Sequence, residues 1–220
     1  MHRKILVEKI PDPMASIYEK ATRMVIDTYY RQVAQEVVLS LKEGVILDLG
    51  TGPGYLPIEI VKASPSIRVD GIDLSRSLIS MARANALRAG VGDRAHFELG
   101  DAADLRFTDE SYDMVLSTGM LHQLKDPAKV LRESYRVLKT GGEAWIYDPA
   151  QVSSQIDTQK WKASLSTFEK FMYLLFLLFT LVNPSRTYNR DQVVVLIRTT
   201  AFKEYWIDEK KKEMKIRLRK

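Results

Sequence analysis

The chain contains no cysteine. A disulfide framework, a Cys-ligated zinc site and a cysteine nucleophile are therefore excluded. Histidine is nearly as scarce, since His2, His96 and His122 are the whole supply. No carboxylate/histidine cluster has a spacing that suits Mg²⁺ or Zn²⁺, and no metal is expected. Membrane-length apolar runs are also missing. The apolar segment Phe171–Val182 would form a helix about 18 Å long, against roughly 30 Å of bilayer core. No apolar stretch of signal-peptide length follows Met1-His2-Arg3-Lys4, so the expected compartment is cytoplasmic.

What is present suits one folded domain. The 220 residues are 45% hydrophobic and 28% charged, enough for a full core and unlike a disordered chain. The net charge of +5 collects at one end. From Phe202 to Lys220 eight basic residues meet four acidic ones, and the rest is nearly neutral. A nucleic-acid enzyme more often spreads basic residues around its active face, so no nucleic-acid partner is expected. Lys215, Arg217 and Arg219 alternate with Met214, Ile216 and Leu218. That pattern predicts a sheet-edge strand with one solvated face, with an RNA or anionic-membrane contact as the alternative.

Periodicity divides the chain. Ile17, Met24, Val25, Val33, Val37, Val38 and Leu41 predict a helix from Met14 to Leu41. Strands are predicted at Val45–Leu49, Ile67–Asp73, Ala95–Leu99, Tyr112–Ser117 and Glu143–Tyr147. Between them lie helices at Leu56–Lys62, Leu78–Ala89 and Pro127–Leu138, the last stopped by Gly141-Gly142. This alternation implies βαβ units and a parallel sheet covered on both faces. Asp148–Ser185 has no strand signal. A helix near Arg190–Thr200 and a hairpin of Lys203–Ile207 with Glu213–Arg219 end the chain.

Three pieces at strand tips point to a ligand. The first is the glycine loop after Val45–Leu49, where glycines let the backbone turn sharply and approach a ligand closely. A dinucleotide loop of the form G-x-G-x-x-G needs glycine at 55, where Tyr55 stands, and Pro53 removes a donor that a pyrophosphate uses. An NAD-dependent oxidoreductase is thereby disfavoured. The second is Asp73, nineteen residues beyond Gly54. An acid there can accept from both hydroxyls of a ribose, while Ser75 or Ser77 can cap the following helix. The third is Gly100-Asp101-Ala102-Ala103-Asp104-Leu105, with a plain turn as the other reading of Asp101. Open α/β sheets bind ligands at such strand ends.

The run Asp48-Leu49-Gly50-Thr51-Gly52-Pro53-Gly54 resembles the first motif of class I S-adenosylmethionine (SAM)-dependent methyltransferases. Tyr112–Ser117 and Arg136-Val137-Leu138-Lys139-Thr140-Gly141-Gly142 extend the resemblance, with Thr140 where the family usually has proline. It covers about Met14 to Lys220 and is nearest the small-molecule branch that includes the ubiquinone and menaquinone C-methyltransferases. The resemblance implies a Rossmann-like α/β sheet of seven strands in the order 3-2-1-4-5-7-6, strand seven antiparallel. It implies SAM as cofactor and S-adenosylhomocysteine (SAH) as product. The implied binding residues are Tyr18, Asp48, Gly50, Thr51, Gly52, Gly54, Asp73, Leu74, Asp101, Ala102 and Ser117. In it, Asp101 accepts from the adenine amino group. Residues 14–44 form a lid region, in which Tyr18, Tyr30 and Arg31 either contact the methionine end or simply occupy an amphipathic helix. Residues 45–147 form the binding core, 148–187 an apolar cap insertion, and 188–220 the last helix and hairpin.

Methyl transfer from a sulfonium needs alignment, exclusion of water and, for some acceptors, removal of a proton. His122 is the histidine near the implied methyl site. It reads as a general base or substrate ligand, or else as a hydrogen-bonded structural residue. Leu116-Ser117-Thr118-Gly119 lacks the Asn/Asp-Pro-Pro-aromatic motif of resembling amino-group methyltransferases of nucleic acid and glutamine. Absence of cysteine excludes the cysteine-adduct route to 5-methylpyrimidines and the cysteine-dependent arsenite methyltransferases. Segment 171–182 has three readings: a buried cap over an apolar acceptor pocket, a homodimer contact, or a peripheral membrane contact. The expected function is methyl transfer from SAM to a small, apolar or amphipathic acceptor. Its alternative is a SAM-binding regulatory or partner subunit without its own catalysis.

Overall fold

The apolar run read as the first strand lies at the middle of a sheet. In the computed structural model, which describes residues 10–11, 14–148, 163, 167, 170, 174, 188–210 and 213–220, β1 (Gly44–Leu49) runs parallel to β2 (Ile67–Asp73) on one side. On its other side it runs parallel to β4 (Tyr112–Thr118). Its Ile46, Leu47 and Leu49 are buried to both faces, so the sequence shows a continuous apolar run rather than an alternating one. β3 (Ala95–Leu99) adds to β2 and β5 (Leu138–Asp148) to β4, both parallel. β7 (Glu213–Arg219) lies antiparallel between β5 and β6 (Glu204–Lys210). The order β3-β2-β1-β4-β5-β7-β6 is the one the resemblance implied.

Helices cover both faces, each over its own apolar core. α1 (Ala15–Arg23), α2 (Arg31–Ser40), α3 (Tyr55–Ala63) and α4 (Arg76–Arg88) belong to the first half of the chain. The core on that side joins Val33, Val37, Ile58 and Ile79 to Ile46, Val69, Leu116 and Trp145. α5 (Pro127–Val137) and α6 (Arg190–Arg198) pack on the other face. There Val130, Leu131, Val193 and Ile197 meet Leu47, Val115, Ile146 and Ile216. Each such side chain contributes about 1.5–3 kcal/mol by leaving water. Arg136 ties the connection after β3 to α5. It donates to the carbonyls of Leu105 (2.9 Å) and Phe107 (2.8 Å) and pairs with Glu133 and Asp109. No described helix is long and apolar enough to cross a membrane. The run 171–182 lies outside the described residues except for Leu174, as does most of the expected cap.

Three expectations are corrected. The single helix from Met14 to Leu41 is two helices separated by a wider π-type turn at Ile26–Tyr30. That turn places both Tyr29 and Tyr30 in the core, which an uninterrupted 3.6-residue period would separate by about 100°. β5 begins at Leu138, not Glu143. Leu138 is fully buried and pairs with Tyr112, and a register shift then joins Met114 to Glu143, so the strand passes through Gly141-Gly142. Finally, β7 is interior and β6 is the edge. The basic side chains of β7 are matched by acids and rings on neighbouring elements. Lys215 pairs with Glu36 at 2.7 Å and lies over Trp145, Arg219 pairs with Glu143 at 2.8 Å, and both Arg217 and Arg219 flank Trp206.

Candidate functional site

The carboxyl ends of β1, β2 and β4 open onto one cleft. Tyr18, Gly50, Asp73, Leu74, Asp101, Ala102 and Gln123 line it. Five of these were expected as one binding site from sequence, together with Tyr18; Gln123 was not. Asp48, Thr51, Gly52 and Ser117 lie just beneath or beside it, in or next to the β1 loop. Ser117 is level with Leu49 in the β1–β4 register.

The loop leaves β1 through Gly50, Gly52 and Gly54, each with positive φ. All three positions are also crowded, and a Cβ on Gly50 would sit 2.8 Å from Met120 Sδ. A Cβ on Gly52 would sit 3.3 Å from the Tyr18 ring, and one on Gly54 would sit 2.8–2.9 Å from Phe97 and Ala82. Gly54 thus lets the start of α3 press against α4 and β3. Gly54→Ala combines left-handed strain with overpacking, and we expect it to cost about 2–4 kcal/mol. Urea unfolding checks this; a loss of less than about 0.5 kcal/mol, the size of an ordinary surface change, contradicts it.

Asp73 ends β2 and organises the loop. Its Oδ2 accepts from the Gly52 amide at 3.0 Å and its Oδ1 from the Ser75 amide at 2.8 Å. Ser75 caps α4 by accepting from the Leu78 amide, so the capping task falls to serine as expected. An ionised carboxylate accepts from about four directions. Holding two amides and receiving hydroxyls are compatible tasks. Asp101 is exposed and its Oδ1 accepts from the Ala103 amide at 2.8 Å. It shapes the turn after β3 while lining the cleft.

Three buried polar atoms around the loop lack partners, Asp48 on the Leu116 face of the sheet and Ser117 on the Leu49 face. Asp48 Oδ1, Thr51 Oγ and Ser117 Oγ make no hydrogen bond. Such orphans are costly and call for an explanation. Burial pushes the Asp48 carboxyl up to about 7; the Thr51 hydroxyl, near it but outside hydrogen-bonding geometry, works in the opposite direction, and the negative charge of Asp73 adds to the rise. Burial, then Asp73 and Asp48, hold the Tyr18 phenol far above its usual range. Two acids thus border one loop, and negative charge there is compatible with a cationic ligand.

Arg31 does not line the cleft and pairs with Glu59 at 2.8 Å and Asp27 at 2.6 Å, whereas Tyr30 is buried in the core within the electrostatic reach of Tyr18 and Asp48. His122 follows β4 in a short 3₁₀ turn, Leu121–Gln123. Its Nδ1 lies 2.7 Å from Oδ1 of Asp148, a buried acid at the end of β5. Asp148 escaped the sequence reading. An acid at a strand tip was the available signal, as at Asp73, but its pairing with His122 depends on the β4–β5 register. No group of three or more His, Asp or Glu side chains that could hold a metal occurs among the described residues.

A family model for a methyltransferase domain matches residues 40–212. The chain belongs to the class I SAM-dependent methyltransferase family. A ubiquinone/menaquinone biosynthesis C-methyltransferase of Geotalea daltonii is 27% identical over 64% of this methyltransferase-family chain and 62% of its own length. A demethylmenaquinone methyltransferase of Lactobacillus johnsonii is 32% identical over 62% of the chain and 57% of its own. The chain thus spans about three fifths of these curated relatives. A solved Methanococcus maripaludis structure, described as a candidate SAM-dependent methyltransferase, shares the fold. It gives a TM-score of 0.77 at 20% identity, with 100% of this chain and 97% of that one covered.

Proposed function

We propose that this chain transfers the methyl group of SAM to a small, apolar or amphipathic acceptor of the quinol type. The observation that carries the reading is the cleft at the strand ends, with two acids and three orphaned buried polar atoms around one glycine loop. Those residues fit SAM, a cation without phosphate. Asp73 would receive the ribose hydroxyls, and Asp101 with Ala102 and Leu74 would hold the adenine. Asp48, Thr51, Gly50, Gly52 and Ser117 would surround the methionine part, with Gly54 packing the loop and Tyr18 closing it. When bound, SAM supplies an activated methyl group on a sulfonium. The protein's tasks are to orient the acceptor, exclude water and accept its proton, the last falling to His122. The two curated relatives named for menaquinone or ubiquinone methylation support the acceptor class. The apolar segment 171–182 suits it by composition.

The test is an acceptor panel with SAH formation as readout. It contains a short-chain demethylmenaquinol kept reduced, a catechol, a polar amine and an oligonucleotide. The quinol is expected to give the fastest turnover. Turnover confined to the amine or the oligonucleotide overturns the acceptor class.

A further inference from the structure

We propose that Asp148 is the positioning residue of a His122–Asp148 pair that presents an unprotonated imidazole nitrogen to a proton-bearing acceptor. This rests on the methyl-transfer reading and goes beyond it by naming the residue that orients the base and the need for a proton on the acceptor. An ionised carboxylate only accepts, and an amide nitrogen only donates. Asp148 Oδ1 lies 2.7 Å from His122 Nδ1 and also receives the His122 backbone amide at 3.4 Å. The Gln123 side-chain nitrogen lies 3.2 Å from His122 Nε2. With the Gln123 amide nitrogen facing the ring, both neighbours are satisfied when Nδ1 carries the hydrogen and Nε2 the lone pair. A second proton on the ring would point at the Gln123 amide hydrogens.

The pair is built into the fold. Asp148 is 3% exposed and His122 17%, so solvent does not compete for the carboxylate. His122 follows β4 and Asp148 ends β5, and adjacent residues Thr118 and Tyr147 pair in register. The sheet therefore fixes the spacing. Met120, Gln123 and Leu124, on either side of His122, line the cleft. Gln123 thus occupies the position on Nε2 that an acceptor O–H takes on binding. In the reaction, the bond from methyl to sulfur breaks and leaves its electron pair on sulfur, giving neutral SAH. The acceptor supplies the pair for the new bond to methyl, and its proton passes to His122 Nε2. The imidazolium keeps its Nδ1–H on Asp148, and the proton then leaves to water. A base in this state serves a phenol, enol or other O–H or C–H acid. A tertiary amine has no proton to give it.

The experiment reads the ring tautomer directly. Long-range nitrogen-15 NMR of the full-length labelled protein is recorded with SAH at about pH 8.5, where imidazoles are neutral, and His122→Gln assigns the signals. Wild type is expected to show a protonated Nδ1 and a bare Nε2. Asp148→Asn, close in shape, is expected to lose that preference, to keep SAH binding, and to lower kcat for the best acceptor about 10²–10⁴-fold with little change in KM. A protonated Nε2 in wild type, or an Asp148→Asn protein with wild-type tautomer and kcat, overturns the proposal. The NMR arm needs no acceptor, and SAH binding is measured separately, so failure of the methyl-transfer reading is distinguished from failure of the pair.

Discussion

Asp73→Ala is expected to weaken SAM and SAH binding by about 10²–10³-fold. The carboxylate has two jobs at one place. It holds the Gly52 and Ser75 amides, and so sets the shape of the glycine loop. In the proposed complex it also receives two ribose hydroxyls. Hydrogen bonds to a charged group contribute about 1.5–3 kcal/mol each, so losing a pair with loop order gives this magnitude. Asp73→Asn keeps the shape but turns an amide donor toward one backbone N–H, and should bind at an intermediate level. Equilibrium dialysis against methyl-labelled SAM measures all three proteins. Binding by Asp73→Ala within about threefold of wild type, a difference of less than about 1 kcal/mol, would mean that the loop is held in place by other means and the ribose lies elsewhere.

The second large effect is a pH dependence centred on Asp48. Burial raises its carboxyl from the usual range to about 7. Between about pH 4 and 7 the folded protein therefore holds a proton that the unfolded chain releases. The sign follows: this contribution to stability is complete below the unfolded value and is lost as pH rises to 7. At one pH unit to about 1.4 kcal/mol, the loss is up to about 4 kcal/mol, most of it between pH 5 and 7. Asp48→Asn removes it. Urea unfolding at pH 5 and 8 should give a wild-type difference that is about 3 kcal/mol larger than the variant's. The same acid links SAM to protons. A bound sulfonium beside Asp48 favours the ionised form, so binding near pH 6 should release a proton and tighten toward pH 7. Calorimetry in two buffers of different ionisation enthalpy checks this. Equal slopes in wild type and Asp48→Asn contradict the assignment.

These effects trace back to residues that the sequence makes visible to different degrees. β1 to β4 were legible because each is a short apolar or alternating run ending at a turn, and strands of that kind depend on local pattern and burial. Asp73 was legible for the same reason: it ends such a run. The split of the N-terminal helix was not, because Val25, Tyr29 and Tyr30 fit a helical stripe until one extra residue in the turn lets both tyrosines enter the core. The start of β5 was hidden by Gly141-Gly142, a pair that usually ends an element. Here Leu138 is held by its burial and its pairing with Tyr112. The basic strand misled for a related reason. Alternating charge suggests water on one face, and only the sheet order reveals Glu36, Glu143, Trp145 and Trp206 waiting on that face. Orphaned Thr51 and Ser117 hydroxyls and the His122–Asp148 pair belong to tertiary packing, beyond the reach of spacing.

The glycine loop separates this site from a dinucleotide site on physical grounds. Tyr55 and Pro53 spoil the phosphate-binding pattern, and Asp48, where ionised, opposes an anion at the loop, whereas Asp73 suits a ribose in either kind of site. The measurement that tests the central claim most directly is calorimetric titration of wild-type protein with SAH and with NAD. Micromolar SAH binding with one site per chain, and none for NAD, is the result expected. No SAH binding, or NAD binding of equal strength, would contradict the account and leave the loop with another nucleotide or with none.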